Sequence, residues 1–220
     1  MSLIVAVRDA SDVVIASDGR VLGEDLRILS EASLKTMALN RNLCLGIAGY
    51  SESIRQVLRC LGAKCRKAHA IDLLTACQEN DCPIDIDYDD AQAEISTLLQ
   101  WMIRRTPAVK RSETIPAVVL AGAWRETPAL CSWNAPQWRA ASAPLIGFFD
   151  AAVGTLPDCG SPERERFQRL VRAERTTEEA EARLAQAIRL CARHFGAHGP
   201  INDTVFVRRL SEGFTLSRAD

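Results

Sequence analysis

The sequence contains no long hydrophobic run. The first apolar stretch, Leu3 to Val7, is closed by Arg8 and Asp9, whereas a secretory signal needs a basic segment and an apolar core of roughly 7–15 residues. No other stretch approaches the roughly 18 consecutive apolar residues that a membrane-spanning helix requires. We therefore expect a soluble, cytoplasmic protein with no membrane partner.

The chain also lacks an excess of charge of either sign. Its 220 residues carry 27 Lys and Arg against 28 Asp and Glu, a formal net charge of −1, so no whole-chain attraction to nucleic acid is expected. The 47% hydrophobic and 25% charged residues suit a globular chain with one sizeable core. Because we find no internal repeat or low-complexity linker, residues 1–220 are predicted to form a single domain.

Patterns for disulfides and metals are missing as well. The eight cysteines include no C-x-x-C pair and, without a secretion signal, are interpreted as reduced thiols. The three histidines have no metal-ligand spacing. Asp85, Asp87 and Asp89 mimic the opening of a calcium loop, but Asp90 and Ser96 replace its glycine and closing glutamate, which favours a solvated acidic loop. We expect no metal ion and no cofactor.

Hydrophobic periodicity alternates between strand and helix along the chain. The predicted strands cover 3–7, 12–17, 34–39, 43–48, 117–124, 129–133, 143–149, 202–210 and 214–217. The first predicted helix begins after Gly49 with Ser51 as N-cap, and the second includes 95–102 and stops at Thr106-Pro107. Two further helices cover 162–173 and 177–195, the second of them with a capping box at 176–179. This order predicts an α+β fold of two stacked antiparallel sheets, covered on both outer faces by helices.

The start of the chain combines a hydroxyl with a potential free amine. Ser2 is small enough to permit removal of Met1, which would leave a residue with both groups. An α-amine has a pKa of about 7.7–8.0, so it can take the hydroxyl proton as the oxygen attacks a carbonyl. The pattern predicts an N-terminal nucleophile that needs no histidine.

Four landmarks follow one another in the first fifty residues: Ser2 behind Met1, an Asp-x-Arg turn at Asp18 and Arg20, Lys35, and Ala48-Gly49 after the fourth predicted strand. In order and spacing they resemble the nucleophile, the Asp-x-Arg turn, the catalytic lysine and the Ala-Gly turn of proteasome β-type subunits and their bacterial relatives. Weaker similarity continues at 176–180 and 199–201. The chain looks most like a bacterial proteasome homologue.

This resemblance implies a four-layer α-β-β-α sandwich that assembles into rings, which are stacked in such proteins. It also implies a peptidase that hydrolyses peptide bonds of unfolded polypeptides or peptides inside the ring chamber, through an acyl-enzyme on Ser2. Lys35 would lower the pKa of the hydroxyl or relay its proton, and Asp18 would balance and orient the lysine. A partner ATPase or unfoldase is not specified by the sequence.

The resemblance also implies how substrate would be held. The backbone N–H of Gly49 would face the developing oxyanion, and one such donor contributes about 2.7–4 kcal/mol to lowering the barrier. A missing Cβ there would permit close approach of the substrate. Val21, Met37 and Ile47 lie near the positions that would wall an apolar specificity pocket.

Two departures from the family pattern leave other functions open. Active members carry a serine after an Ile-Gly pair, and a later Asp-x-x-Ser; here Phe148 follows Ile146-Gly147, and His194 and Ala197 occupy the Asp and Ser positions. A non-catalytic structural subunit of a ring is therefore one alternative. A small-molecule amidohydrolase of the same fold and a plain binding domain are the others.

Further motifs favour structural roles. Residues 49–53 come close to a nucleophile elbow but lack its final glycine. Cys191 and His194 are spaced for a dyad, yet Cys191 belongs to an apolar helical stripe and is interpreted as a buried thiol. Core or interface anchors are expected at Trp124, Trp133 and Trp138.

Overall fold

The computed structural model describes residues 2–22, 25, 27–64, 84–136, 138–142, 149–172, 179–211 and 213–219. In chain order the strands are β1 (Leu3–Arg8), β2 (Val13–Asp18), β3 (Val21–Leu22), β4 (Ile28–Ser30), β5 (Thr36–Asn40), β6 (Leu43–Ala48), β7 (Ala117–Trp124), β8 (Thr127–Trp133), β9 (Ala141–Ser142), β10 (Phe149–Gly154), β11 (Val205–Arg209) and β12 (Thr215–Ala219). The α-helices are α1 (Ser51–Lys64), α2 (Tyr88–Arg105), α3 (Arg111–Thr114), α4 (Pro162–Arg172) and α5 (Ala180–Phe195). The predicted α+β class is confirmed.

The strands form two five-stranded sheets and a short ribbon. The first sheet has the order β10-β1-β2-β11-β12, and the second has the order β5-β6-β7-β8-β9. The pairings within both are antiparallel. The ribbon pairs β3 with β4. The central hairpin β1–β2 therefore places the start of the chain in the middle of the first sheet.

Alternate residues of β1 contact different neighbours, as the period of two in a strand requires. Leu3 and Val5 lie in a buried cluster with residues of α4 and α5. Ile4 and Ala6 lie instead in a cluster with Val119 and other residues of the second sheet. Both faces of the first sheet are thus covered.

The second sheet has a similar division. Leu45 and Ile47 of β6 lie in a cluster with Leu58 of α1 and Leu99 of α2, while Cys44 lies in the cluster shared with the first sheet. Burial of these strands explains why their sequences are almost continuously apolar. The two sheets and the long helices are held together by these three apolar clusters.

Several element boundaries differ from the sequence-based predictions. Helix α1 begins at Ser51, and the Tyr50 carbonyl accepts the N–H of Ile54, so Tyr50 and not Ser51 is the N-cap. Strand β11 begins at Val205, which leaves Asn202 in the preceding loop rather than in a strand. The stop of α2 at Thr106 is confirmed.

Part of the acidic segment at 85–90, which was predicted as a loop, belongs to helix α2. Asp87 caps α2, because its carboxylate accepts the N–H of Asp90 at 2.8 Å, and Asp89 and Asp90 lie in the first turn of that helix, where negative charge is stabilising. Residues 143–148 of the predicted strand 143–149, and residues 176–178 of the predicted capping box, lie outside the described residues; Phe149 begins β10. None of the described helices is long and apolar enough to cross a membrane.

Candidate active site

Asp18 lies where the start of the chain meets the end of β2. The register that pairs Ile4 with Ser17 brings Leu3 beside this carboxylate. Its Oδ1 accepts the backbone N–H of Leu3 at 2.8 Å, and its Oδ2 accepts the N–H of Arg20 at 3.0 Å. The Asp18 side chain is fully buried. One carboxylate therefore fixes both the peptide that follows Ser2 and the turn that follows β2.

Lys35 is the partner of Asp18 in a buried ion pair. Its Nζ donates to Oδ2 of Asp18 at 2.7 Å, and its side chain is only 6% exposed. Its carbonyl accepts the N–H of Ile47 at 3.1 Å, which anchors the residue beside β6. Burial lowers the pKa of Lys35 below its usual range, and the neighbouring Asp18 opposes this shift. The lysine proton is therefore easier to remove than that of an exposed lysine.

Ser2 is buried at 7% exposure and is held from its carbonyl side. Its carbonyl oxygen accepts the N–H of Thr155 at 2.8 Å. The preceding Gly154 has φ +102, and a Cβ at that position would overlap the Ser2 carbonyl oxygen and lie 3.4 Å from the Ala48 side chain. Ser2, the end of β10 and the end of β6 therefore meet at one place.

The predicted substrate-binding residues lie in different surroundings. Gly49 is exposed, and a Cβ there would lie 3.0 Å from Cβ of Pro116, so packing against Pro116 already accounts for the glycine. Val21 is half-buried in β3. Met37 and Ile47 are buried in the cluster with α1 and α2, at 5% and 1% exposure. Their roles in holding substrate stay predictions.

Two residues that the sequence-based analysis missed join the turn after β2. Glu31 accepts two hydrogen bonds from the guanidinium of Arg20, at 2.9 and 3.1 Å, and Asn202 donates to Glu31 at 2.6 Å. The hydrogen bond from Arg20, followed by that from Asn202, holds the pKa of Glu31 below its usual range. The Asp-x-Arg pattern pointed to Arg20, but its partners are distant in sequence and had no local signal.

The positions where the chain departs from the family pattern are partly described. Ala197 follows α5, and its carbonyl accepts a hydrogen bond from Nη1 of Arg20 at 2.8 Å. His194 is exposed in the last turn of α5. Residues 146–148 lie outside the described residues. The loop at Ala197 thus contacts the turn that carries Asp18, although it offers no polar side chain at that position.

The other motifs have structural surroundings. Cys191 is fully buried, and burial raises the pKa of its thiol to about 12, which confirms the structural interpretation. Trp133 and Trp138 lie in the core, and Trp124 packs against it while its indole N–H donates to Asp89 at 2.7 Å. Within the described ranges, no group of three His, Cys, Asp or Glu residues could hold a metal ion.

The structure brings Asp18 and Lys35 together beside the peptide that follows Ser2. A buried amine with a lowered pKa gives up its proton more readily than an exposed one, and the Asp18 carboxylate orients it. Comparison with known proteins adds no assignment: no protein-family model matches the chain, and no curated protein matches its sequence.

Proposed function

We propose that the chain is an N-terminal nucleophile hydrolase with a four-layer α-β-β-α sandwich of the proteasome type, and that it cleaves peptide bonds of unfolded polypeptides or peptides. The observation that carries the proposal is the set of hydrogen bonds that Asp18 accepts. This single buried carboxylate accepts hydrogen bonds from the amide beside Ser2 and from the ammonium of Lys35. The carboxylate thereby links the backbone beside Ser2 to the lysine of the proposed mechanism.

The packing of the sheets supports the proposed sandwich. One apolar cluster joins the two sheets, a second joins the first sheet to α4 and α5, and a third joins the second sheet to α1 and α2. This is the set of contacts that an α-β-β-α order requires. Because many chemistries share one fold, the activity is argued from the site.

The proposed reaction begins once Met1 has been removed. The Ser2 oxygen forms a bond to the carbonyl carbon of the substrate, and its proton passes to the new α-amine or to a neutral Lys35. That proton is delivered to the leaving nitrogen as the carbon–nitrogen bond breaks. Water then hydrolyses the ester on Ser2 and returns the hydroxyl proton. The N–H of Gly49 is the proposed oxyanion donor.

A second candidate is a structural subunit of a proteasome-like ring with no peptidase activity. Ala197 favours it, since this residue replaces a serine of the family pattern and its carbonyl is engaged by Arg20. The terminal amine would then lack a hydrogen-bonding partner at that position. A small-molecule amidohydrolase, another of the alternatives, would use the same Ser2 chemistry without a closed chamber.

Intact-mass measurement of untagged protein tests the proposal. We expect loss of Met1 and a single adduct after treatment with a peptide boronate or β-lactone, and no adduct on Ser2→Ala. Ser211→Ala serves as the matched control, because its hydroxyl donates to Asp12 at the other end of β2, and it should be labelled like the wild type. Retained Met1, or an adduct that persists on Ser2→Ala, would exclude the peptidase mechanism.

The size of the assembly separates the two hydrolase candidates. We expect a ring of many copies on a sizing column, together with cleavage of an unfolded polypeptide. A labelled protein that elutes as a monomer or dimer and hydrolyses only small amides would instead be the amidohydrolase.

A further inference from the structure

We infer that Glu31 and Asn202 are positioning residues that hold the turn at Gly19 and Arg20, and through it the Asp18 carboxylate, against Ser2. The inference rests on the proposed function of Ser2 and assigns roles to two residues that do not touch the reacting atoms. It is drawn from a chain of hydrogen bonds that joins three segments of the protein: the turn at 18–20, the loop at 31–33 and the loop at 197–202.

Asn202 joins the last of these loops to the other two. Its Oδ1 accepts the N–H of Gly19 at 2.9 Å, and its Nδ2 donates to the backbone carbonyl and the carboxylate of Glu31 at 2.7 and 2.6 Å. Asn202 is only 5% exposed. A buried amide whose hydrogen-bonding groups are used on two segments fixes the distance between them.

Arg20, in the turn itself, also joins the three segments. Its guanidinium donates to both oxygens of Glu31 and, through Nη1, to the carbonyls of Ala197 and Gly199 at 2.8 and 2.6 Å. A two-bonded arginine–carboxylate pair is directional as well as strong. The Glu31 carboxylate is therefore the group shared by Arg20 and Asn202, and its loss would weaken the hold on both.

The turn leaves little room for adjustment. A Cβ at Gly19 would lie 2.7 Å from the carbonyl oxygen of Glu31, and the carbonyl of Gly19 accepts the N–H of Ser33 at 2.8 Å. Ser33 lies two residues before Lys35. The network thus fixes both partners of the Asp18–Lys35 pair, one from each side.

The network also binds the loop at 197–202, which lies beside the proposed site. The family pattern places a supporting serine side chain at Ala197, and this chain has none there. Arg20 binds the backbone carbonyl of Ala197 instead. In this protein, the loop beside the proposed site is bound by Arg20 at two carbonyls and is joined to Glu31 through Asn202.

The test compares amide hydrogen exchange at Leu3 and Arg20, whose N–H groups bind Asp18, in wild type, Asn202→Ala and Glu31→Gln. Exchange at native conditions reports local opening. We expect both amides to exchange about tenfold faster in either variant, since each variant weakens the hydrogen bonds that hold the turn. The rate of Ser2 labelling by the β-lactone should fall by a similar factor, with a changed pH profile.

The Ser211→Ala variant is again the control, because it removes one hydrogen bond from Asp12 at the far end of β2. It should leave exchange at Leu3 and Arg20 unchanged. If it accelerates their exchange as much as Asn202→Ala does, or if both network variants exchange and label like the wild type, the positioning role is excluded. Absence of any Ser2 labelling in the wild type would remove the proposed function, while the exchange comparison would still decide whether the network holds Asp18.

Discussion

The two ends of β2 each carry a buried aspartate, and the two are used differently. At the first end, Asp12 accepts the N–H of Val13 at 2.7 Å and two hydrogen bonds from Ser211 at 2.7 and 3.0 Å. Its ion-pair partner Arg209 lies 3.0 Å away and also approaches Glu181 at 3.4 Å. At the other end, Asp18 has Lys35 as its ion-pair partner at 2.7 Å.

The difference lies in which cation each aspartate holds. Arginine keeps its charge in proteins and binds carboxylates in a fixed geometry. The contacts of Asp12 therefore hold the end of β11 and the loop that follows it against the β1–β2 hairpin. A buried lysine can release its proton, and burial lowers the pKa of Lys35. The same strand therefore ends in a fixed ion pair on one side and in a pair that can exchange a proton on the other.

The largest contrast should appear when each aspartate is neutralised. Asp18→Asn is expected to cost about 3–5 kcal/mol of unfolding free energy, because it leaves a buried ammonium without its counter-ion. Asp12→Asn should cost about 1 kcal/mol, since Arg209 is partly exposed and keeps Glu181 nearby. Urea denaturation of both variants measures the two values.

A second substitution sharpens that result. Asp18→Asn combined with Lys35→Met should recover most of the lost stability, because no charge is then buried alone. Asp12→Asn combined with Arg209→Met should recover none. Equal rescue at both ends would mean that the two pairs do not differ in the way proposed.

Gly154 and Gly160 give a smaller contrast between the site and a distant turn. Both have positive φ, at +102 and +82, but only a Cβ at 154 would overlap the carbonyl of Ser2; around 160 there is open space. Gly160→Ala should cost about 1–2 kcal/mol from backbone strain. Gly154→Ala should cost more and should also slow Ser2 labelling, as thermal denaturation and mass spectrometry would measure. Equal costs and unchanged labelling would show that β10 does not hold Ser2.

The smallest expected effect is a pH dependence. The folded pKa of Lys35 is lowered, so between that value and about 10.4 the unfolded chain binds more protons than the folded one. The stability of the wild type relative to Lys35→Met should therefore rise with pH through this window and level off above it. Denaturation at several pH values measures the trend.

The arginine at the opposite end supplies the control for this dependence. The stability of the wild type relative to Arg209→Met should stay flat over the same alkaline range, since arginine does not titrate there. A slope as large as that for Lys35→Met would assign the dependence to another group.

The long elements were predictable from two kinds of apolar pattern. β1, β2 and β6 are short, almost continuous apolar runs, and α5 carries an apolar stripe at the helical period. The ribbon of β3 and β4 was missed, since strands of two and three residues are too short to show a period. Ser51 was predicted as the N-cap because serine favours that position, but α1 begins at Ser51 itself, one residue earlier than such a cap would require.

The site was predictable only in part, for a related reason. Asp18 and Lys35 could be named from the order of landmarks along the chain, and they do form an ion pair. Glu31 and Asn202 could not, because they lie 171 residues apart and their roles arise from contact in the folded chain. Asn202 was even predicted as part of a strand, since its downstream neighbours are strongly β-forming.

The contacts that hold Ser2 bear on whether the proposed site forms before or after Met1 is removed. The contacts at its carbonyl side, from Thr155 to its oxygen and from Leu3 to Asp18, involve no atom that the loss of Met1 would change. The carbonyl side of Ser2 and the Asp18–Lys35 pair can therefore be in place before Met1 is lost. Under the proposed function, removal of Met1 would add an amine beside groups that the fold has already positioned.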